Sequence, residues 1–412
     1  MHKGYSFRLY PTETQKALLE KHFGCARWVY NWALEQKIAY YQKEKKGVSM
    51  YEVARELTKL KREEGKEWLQ EVSSQSLGYS MMHLDRAFTN FFKHKKGFPK
   101  FKSKKKSRAS FTHNLSNDLN EEKGLVYATN FREGIRCVFT RPVEGKIKRM
   151  TFSRTKTGKY YVGILVETPE EFPTPPPPRE ELSVGIDLGL KTFATLDDGT
   201  KIDTPKFLQG SLQRLRRAQK HLSRCQYGSK NWEKARDKVA RLHEHVANSR
   251  KDFLHKVSHK LVCDNQATTL CIENLDITEM IEKAPSRRKR SIYDAGWRMF
   301  RGMLEYKCEW HGKNLMMIGQ FEPSSKICSC CGEMNKDLGK KREWTCKKCE
   351  THHDRDINAA KNIKKIAFCK QNTVSAKILP PDRRDVKPVE SSVLEFNEAG
   401  TEKDRLTPSR GV

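Results

Sequence analysis

Two Cys-x-x-Cys pairs, Cys328/Cys331 and Cys346/Cys349, constrain this chain more than any other feature. Four thiolates at that spacing suit a tetrahedral zinc ion when a short hairpin brings two tight knuckles together. Residues 321–352 are therefore expected to fold as a zinc ribbon. Gly332 follows the first knuckle, where a residue free to take positive φ lets backbone amides turn toward the sulfurs. Cys330, inside the first knuckle, reads as a bystander, and His352 and His353 are substitute ligands that a four-cysteine site does not need. Asp354 and Asp356 come next, at the start of a helix expected from 356 to about 367. A ribbon leading directly into a carboxylate at a helix start points to metal-dependent nucleic-acid chemistry.

The charge agrees. A formal net charge of +29 over 412 residues favours a polyanionic partner over ordinary small-molecule metabolism. The cations cluster and alternate with aromatics, as in Phe91-Phe92-Lys93-His94-Lys95-Lys96. No run approaches a membrane span and the first residues lack an apolar signal core, so no membrane partner is expected and a cytoplasmic, prokaryotic location is. In a reducing compartment the twelve cysteines point to metal before disulfide.

Read in order, residues 5–9 alternate as a strand, and Thr12 or Thr14 caps a helix running from 15 into the forties. Further helices are expected near 51–64 and 77–92. Residues 97–106, Gly-Phe-Pro-Lys-Phe-Lys-Ser-Lys-Lys-Lys, form a basic connector whose Phe98 and Phe101 suit base stacking. Short β-prone runs up to residue 166 suggest a small antiparallel barrel, with the first strand as a member and the helices as an insertion. The proline run at 173–178 is the clearest linker. Beyond it, strands are expected at 182–187, 192–196 and 200–202, then long basic helices at 205–223 and 229–262. A buried strand at 268–273, one helix over 291–311 and a strand at 315–318 follow. From about 371 the periodicity is lost and a disordered tail is expected.

Asp187 and Glu273 end apolar strands, and Asp356 opens the last helix. Carboxylates beside a core are costly unless a cation compensates them. If the sheet brings these strands together, oxygen ligands of this kind suit Mg²⁺. Two such ions about 4 Å apart activate water and stabilise the leaving oxygen of a phosphodiester. Asp354 competes with Asp356 as helix cap or ligand; Asp356 is the preferred ligand.

An ordered set of motifs then resembles the TnpB (OrfB) family of insertion-sequence proteins, relatives of the type V CRISPR effectors. The set comprises Phe7-Arg8-Leu9-Tyr10-Pro11, Cys25-Ala26-Arg27 with Tyr30-Asn31, Phe98-Pro99-Lys100-Phe101-Lys102, Gly185-Ile186-Asp187-Leu188-Gly189, Asn248-Ser249-Arg250-Lys251-Asp252-Phe253, Pro323-Ser324-Ser325-Lys326 and Asp354-Arg355-Asp356-Ile357-Asn358-Ala359-Ala360. The resemblance implies a multidomain α+β and α/β protein: a small β-barrel with a helical insertion, then a ribonuclease-H-like (RuvC) domain carrying an inserted zinc ribbon. It places the first barrel (wedge) strand at 1–10, a helical recognition domain at 11–95 and the rest of the barrel at 96–170. A linker at 171–181, a nuclease domain at 182–320, the ribbon at 321–352, the last nuclease helix at 353–370 and a tail at 371–412 complete it. It implies an RNA-guided endonuclease that cuts double-stranded DNA beside a short flanking motif, with a guide RNA from the transposon end. Asp187, Glu273 and Asp356 match the family's catalytic trio, holding two Mg²⁺ (or Mn²⁺). Cys328, Cys331, Cys346 and Cys349 match its structural zinc ligands. Glu350 departs from the pattern, standing where the second knuckle usually has Gly, and Glu322 precedes Pro323. The rival reading is a zinc-ribbon binder that regulates transposition without cutting. A transposase acting on element ends is weaker, because no tyrosine flanked by a His-x-His pair is present.

Overall fold

A computed structural model of the chain describes residues 1–369 except 115–118, 206, 321 and 340, with backbone alone for 207–209 and 287. The tail expected at 371–412 lies outside the described residues. The chain opens with β1 (His2–Tyr10), whose Tyr5, Phe7 and Leu9 alternate inward. Helix α1 (Glu13–Glu44) follows, capped by Thr12 in a reciprocal arrangement with Gln15. Then come α2 (Met50–Leu60) and α3 (Ser74–His94). Six strands complete this half: β2 (Ala109–His113), β3 (Leu119–Asn120), β4 (Leu125–Ala128), β5 (Phe131–Val138), β6 (Lys146–Arg154) and β7 (Tyr160–Glu167).

These strands form one antiparallel sheet in the order β2-β6-β7-β1-β5-β4-β3. β1 sits between β7 and β5, so the three helices interrupt the sheet in sequence, as expected of an insertion. The expected barrel is not closed among the described residues: β2 and β3 are free edges. Helix α1 packs against this sheet. Its His22 ring lies 4.6 Å from Phe111 of β2 and 5.6 Å from Phe131 of β5. Leu19, Phe23 and Ala26 join the sheet's core. The following turns of α1 bury Val29, Ala33 and Leu34 against α2 and α3, so one helix serves two cores.

Residues 168–182 carry no helix or strand and lead to the second half. Asn314 Nδ2 donates to the Pro176 carbonyl at 2.8 Å, tying the proline run to that half. There β8 (Ser183–Leu188), β9 (Thr192–Leu196) and β10 (Lys201–Asp203) form an antiparallel meander, followed by α4 (Phe207–Leu222) and α5 (Lys230–Val262). Next are β11 (Thr269–Glu273), α6 (Ile277–Lys283), α7 (Ser286–Ala295), α8 (Trp297–Trp310) and β12 (Asn314–Ile318). The expected single helix over 291–311 is instead two. Gly296, at φ +67, ends α7, a conformation that glycine adopts without a Cβ penalty. The sheet order is β10-β9-β8-β11-β12, with β11 parallel to both β8 and β12.

Helices cover both faces of this sheet. On one, Leu254, Val257 and Leu261 of α5 and Phe300, Met303 and Leu304 of α8 pack against Ile186, Phe193, Leu270 and Ile272. On the other lies α9 (Arg355–Cys369), whose Ile363 and Ala367 meet Cys271, Met316 and Ile318. A small two-stranded ribbon, β13 (Glu343–Thr345) and β14 (His352–Asp354), runs directly into α9. No helix among the described residues is long and apolar enough to cross a membrane.

Candidate active site and metal centre

In the ribbon, Sγ atoms of Cys328, Cys331, Cys346 and Cys349 all lie within 4.8 Å of one another. Cys328–Cys349 and Cys331–Cys346 are each 3.6 Å apart. Sulfurs about 2.3 Å from a tetrahedral ion sit roughly 3.8 Å from each other, so this cage has the size of a zinc site. Gly332 takes φ +77, as expected after the first knuckle. Cys330 is exposed and outside the cage. His353 is buried, stacks on Trp344 at 4.7 Å and brings Nε2 to 3.1 Å from Cys328 Sγ, supporting a ligand without joining the set. His352 is exposed and faces Thr345. Thr351, through its hydroxyl and amide, holds the Cys349 thiol down to about 6.

The carboxylates are assembled by packing. β8 and β11 are parallel neighbours in the register Ile186–Ile272, so Asp187 and Glu273 each follow a paired residue at adjacent strand ends. Gly185 and Asp187 share one strand face, and Asp356 and Ala360 share one helix face. A Cβ on Gly185 would stand 2.0 Å from the Ala360 carbonyl oxygen. That close approach of α9 to β8 brings Asp356 over Asp187. Burial pushes the Asp187 carboxyl up to about 8, with repulsion from Glu273 and Asp356 adding to it and Arg355 and Arg342 opposing it. Glu273 is also raised by burial, against a hydrogen bond donated by Ser324 Oγ. Half-buried carboxylates that repel one another and offer oxygen donors suit hard divalent cations.

The three acids are not gathered as tightly as the cysteines. The cysteine cage is the only set of three or more metal-ligating residues within 4.8 Å among the described residues. Arg342 of the ribbon pairs with Asp356 at 2.6 Å and must release it for that oxygen to reach a cation. Asp354 caps α9: its Oδ1 accepts from the amides of Asp356 (2.9 Å) and Ile357 (3.2 Å). Burial alone would raise Asp354, but Lys201 at 2.7 Å and those amides hold it below the usual carboxylate range.

Several residues that shape the site escaped the sequence reading. Asn358 and Asn362 are buried on α9. Asn358 accepts from the Ser329 amide and donates to the Ile327 carbonyl; Asn362 donates to the Ser324 and Ile327 carbonyls. They bolt the first knuckle onto the helix that carries Asp356. Two asparagines spaced i, i+4 inside a helix, where they are poor formers, were the available signal. Arg342 left no such mark, and Ser324 stood only within the Pro323–Lys326 motif, without a role.

Comparison with known proteins gives this geometry its context. A family described as "Probable transposase" matches residues 163–284, and one described as "Cas12f1-like, TNB domain" matches 297–363. A protein of Streptomyces pristinaespiralis named "Putative RNA-guided DNA endonuclease" is 40% identical over 88% of each chain. The chain belongs to the TnpB (OrfB) family. An Escherichia coli K12 member, "Putative RNA-guided DNA endonuclease InsQ", is 31% identical over 88% of this chain and 91% of its own. The "TnpB-like protein L79" of Acanthamoeba polyphaga mimivirus is 28% identical over 59% of this chain and 49% of its own. A further family, described as a helix-turn-helix domain, matches residues 1–46; in this TnpB relative that stretch is β1 followed by the single long α1.

Proposed function

We propose that this protein is an RNA-guided endonuclease that cuts double-stranded DNA beside a short flanking motif, with Asp187, Glu273 and Asp356 as its catalytic carboxylates. The observation that carries the reading is the meeting of three sequence-distant acids at the ends of β8 and β11 and the start of α9, with Asp187 pushed up to about 8 by burial and the other two. Membership of the TnpB family, whose relatives are named as RNA-guided DNA endonucleases, supplies the substrate class. The order β10-β9-β8-β11-β12, antiparallel then parallel, supports a ribonuclease-H-like core at 182–320 completed by α9.

In this reading a pair of divalent ions, Mg²⁺ or Mn²⁺, supplies an activated water and charge stabilisation at the phosphodiester. The chain's own residues do the rest. Asp187, on the central strand, together with Glu273 and Asp356, would hold the ions. Ser324 orients Glu273, and Asp354 caps α9 so that Asp356 stays free of the helix end. A structural zinc in the four-cysteine cage fixes the ribbon, which Asn358 and Asn362 then hold against α9. The helical region at 11–95 and the first sheet serve as the lobe that grips guide RNA and the flanking duplex. The guide comes from the end of the mobile element that encodes the protein. Base pairing reads sequence, and the protein reads only the flanking motif.

The test uses protein purified with its co-expressed RNA. That RNA is sequenced, and the complex is incubated with a supercoiled plasmid library carrying a matching target beside randomised flanks. Linear products enriched for one flank are expected. Specific retention of RNA and plasmid with no cut in any flank would favour the non-cleaving regulator instead.

A further inference from the structure

The tip of the α4–α5 hairpin carries an aromatic arrangement that the catalytic reading does not use. Tyr227 lies in the turn between the helices with 73% of its surface exposed. Its ring is 4.7 Å from that of Trp232, in the first turn of α5, and the Arg236 guanidinium lies over the Trp232 ring at 5.4 Å. The two rings are tilted by 58°, and the turn around them is fixed: Ser229 caps α5 through the Trp232 amide at 3.1 Å, and Gly228 takes φ +81 to turn the chain. From the other half of the molecule, Lys105 brings Nζ to 3.5 Å from the Tyr227 hydroxyl. The connector at 97–106 thus leans on this hairpin tip.

An exposed aromatic face left bare in water is a poor way to stabilise a turn, and its charge surroundings say what covers it. Residues 224–237 carry Arg224, Lys230, Lys234 and Arg236 against Glu233 and Asp237, the latter paired with Arg236 at 2.9 Å, and Lys105, within the exposed run Lys104–Lys106, reaches the tip from the connector. A flat π-surface ringed by cations matches a nucleobase with its flanking phosphates. It does not match an apolar protein face, which would leave these charges to be desolvated. We propose that Tyr227, seated on Trp232 and Arg236, is a stacking platform for an unpaired nucleobase, with Lys105 and Lys230 engaging the adjoining phosphates. The inference rests on the nucleic-acid reading above and adds a binding site remote in sequence from the catalytic acids. RNA and DNA share this chemistry.

The test is photo-cross-linking of the full-length protein with two oligomers, one RNA containing 5-iodouridine and one DNA containing 5-iododeoxyuridine. Long-wavelength irradiation couples such bases to aromatic rings they stack on, and the adduct is located by peptide mass spectrometry. An adduct on Tyr227 is expected, and the oligomer that forms it identifies the source. Binding is measured in parallel by anisotropy in high salt, where charge contributes least. Tyr227→Ala is expected to weaken base-containing oligomers roughly tenfold and leave abasic ones unchanged. Tyr227→Trp is expected to restore binding, and Tyr227→Leu, which keeps apolar cover over Trp232, is not. Oligomers that bind while Tyr227 stays unmodified overturn the platform and leave the nucleic-acid reading standing. Failure of both oligomers to bind overturns both.

Discussion

At the scale of residues, Gly185 decides whether the site exists. Any side chain there meets the Ala360 backbone, and backbone cannot swing aside as a long side chain can. Gly185→Ala is therefore expected to lift α9 from β8, lowering both stability, by about 2 kcal/mol or more, and cleavage. Urea denaturation and a plasmid assay read the two. Glu350 offers the opposite case. It departs from the family's glycine and takes φ +55, a left-handed conformation that costs an L-residue roughly 1 kcal/mol. Glu350→Gly is expected to stabilise the ribbon by a similar amount, seen as slower loss of zinc to a chelator. His255 sets an acid response. Burial first, then Lys307, Lys251 and Arg141, bring it down to about 4, with Asp252 opposing. The unfolded chain, titrating near the ordinary 6.5, binds the proton more readily. His255 thus subtracts stability as pH falls from about 6.5 to 4 and nothing above that window. His255→Gln is expected to flatten the pH dependence of the melting temperature there.

At the scale of elements, local pattern carried far. The alternation in β1, the strand at Thr192–Leu196 and the long α5 followed from spacing, because each buries one continuous face, while the cap left open between Thr12 and Thr14 falls at Thr12. The ribbon was legible from cysteine spacing alone, and β8 and β11 from apolar runs ending in an acid. What was not legible depends on partners distant in sequence. Whether β2 and β3 pair depends on how the sheet and α1 pack together, not on the residues of either strand. The break at Gly296 was hidden because both flanking segments keep helical periodicity. Arg342 reaches Asp356 only because β13 pairs with β14. The ribbon's coupling to α9 carries its own expectation. Stripping zinc from the cage should loosen Asn358 and Asn362 from the first knuckle and raise amide hydrogen exchange through the first turns of α9. Exchange there unchanged after zinc removal would mean that the helix stands without the ribbon.

At the scale of the whole molecule, two sheets and a helical lobe present a strongly cationic surface around one concentration of buried acid. In the proposed mechanism basic residues gather polyanion, and the acids at the strand ends, which repel one another, would hold divalent cations where a phosphate approaches. The positive exterior alone would describe a binder; the acidic centre is what the proposed cleavage rests on. The most direct measurement is cleavage of a supercoiled plasmid bearing a matched target by the purified ribonucleoprotein, parent against Asp187→Ala, in Mg²⁺ and in EDTA. The account predicts linear product from the parent in Mg²⁺ alone, and none from the variant although it retains its RNA. Cleavage by Asp187→Ala at the parent's rate, or by the parent in EDTA, would contradict it.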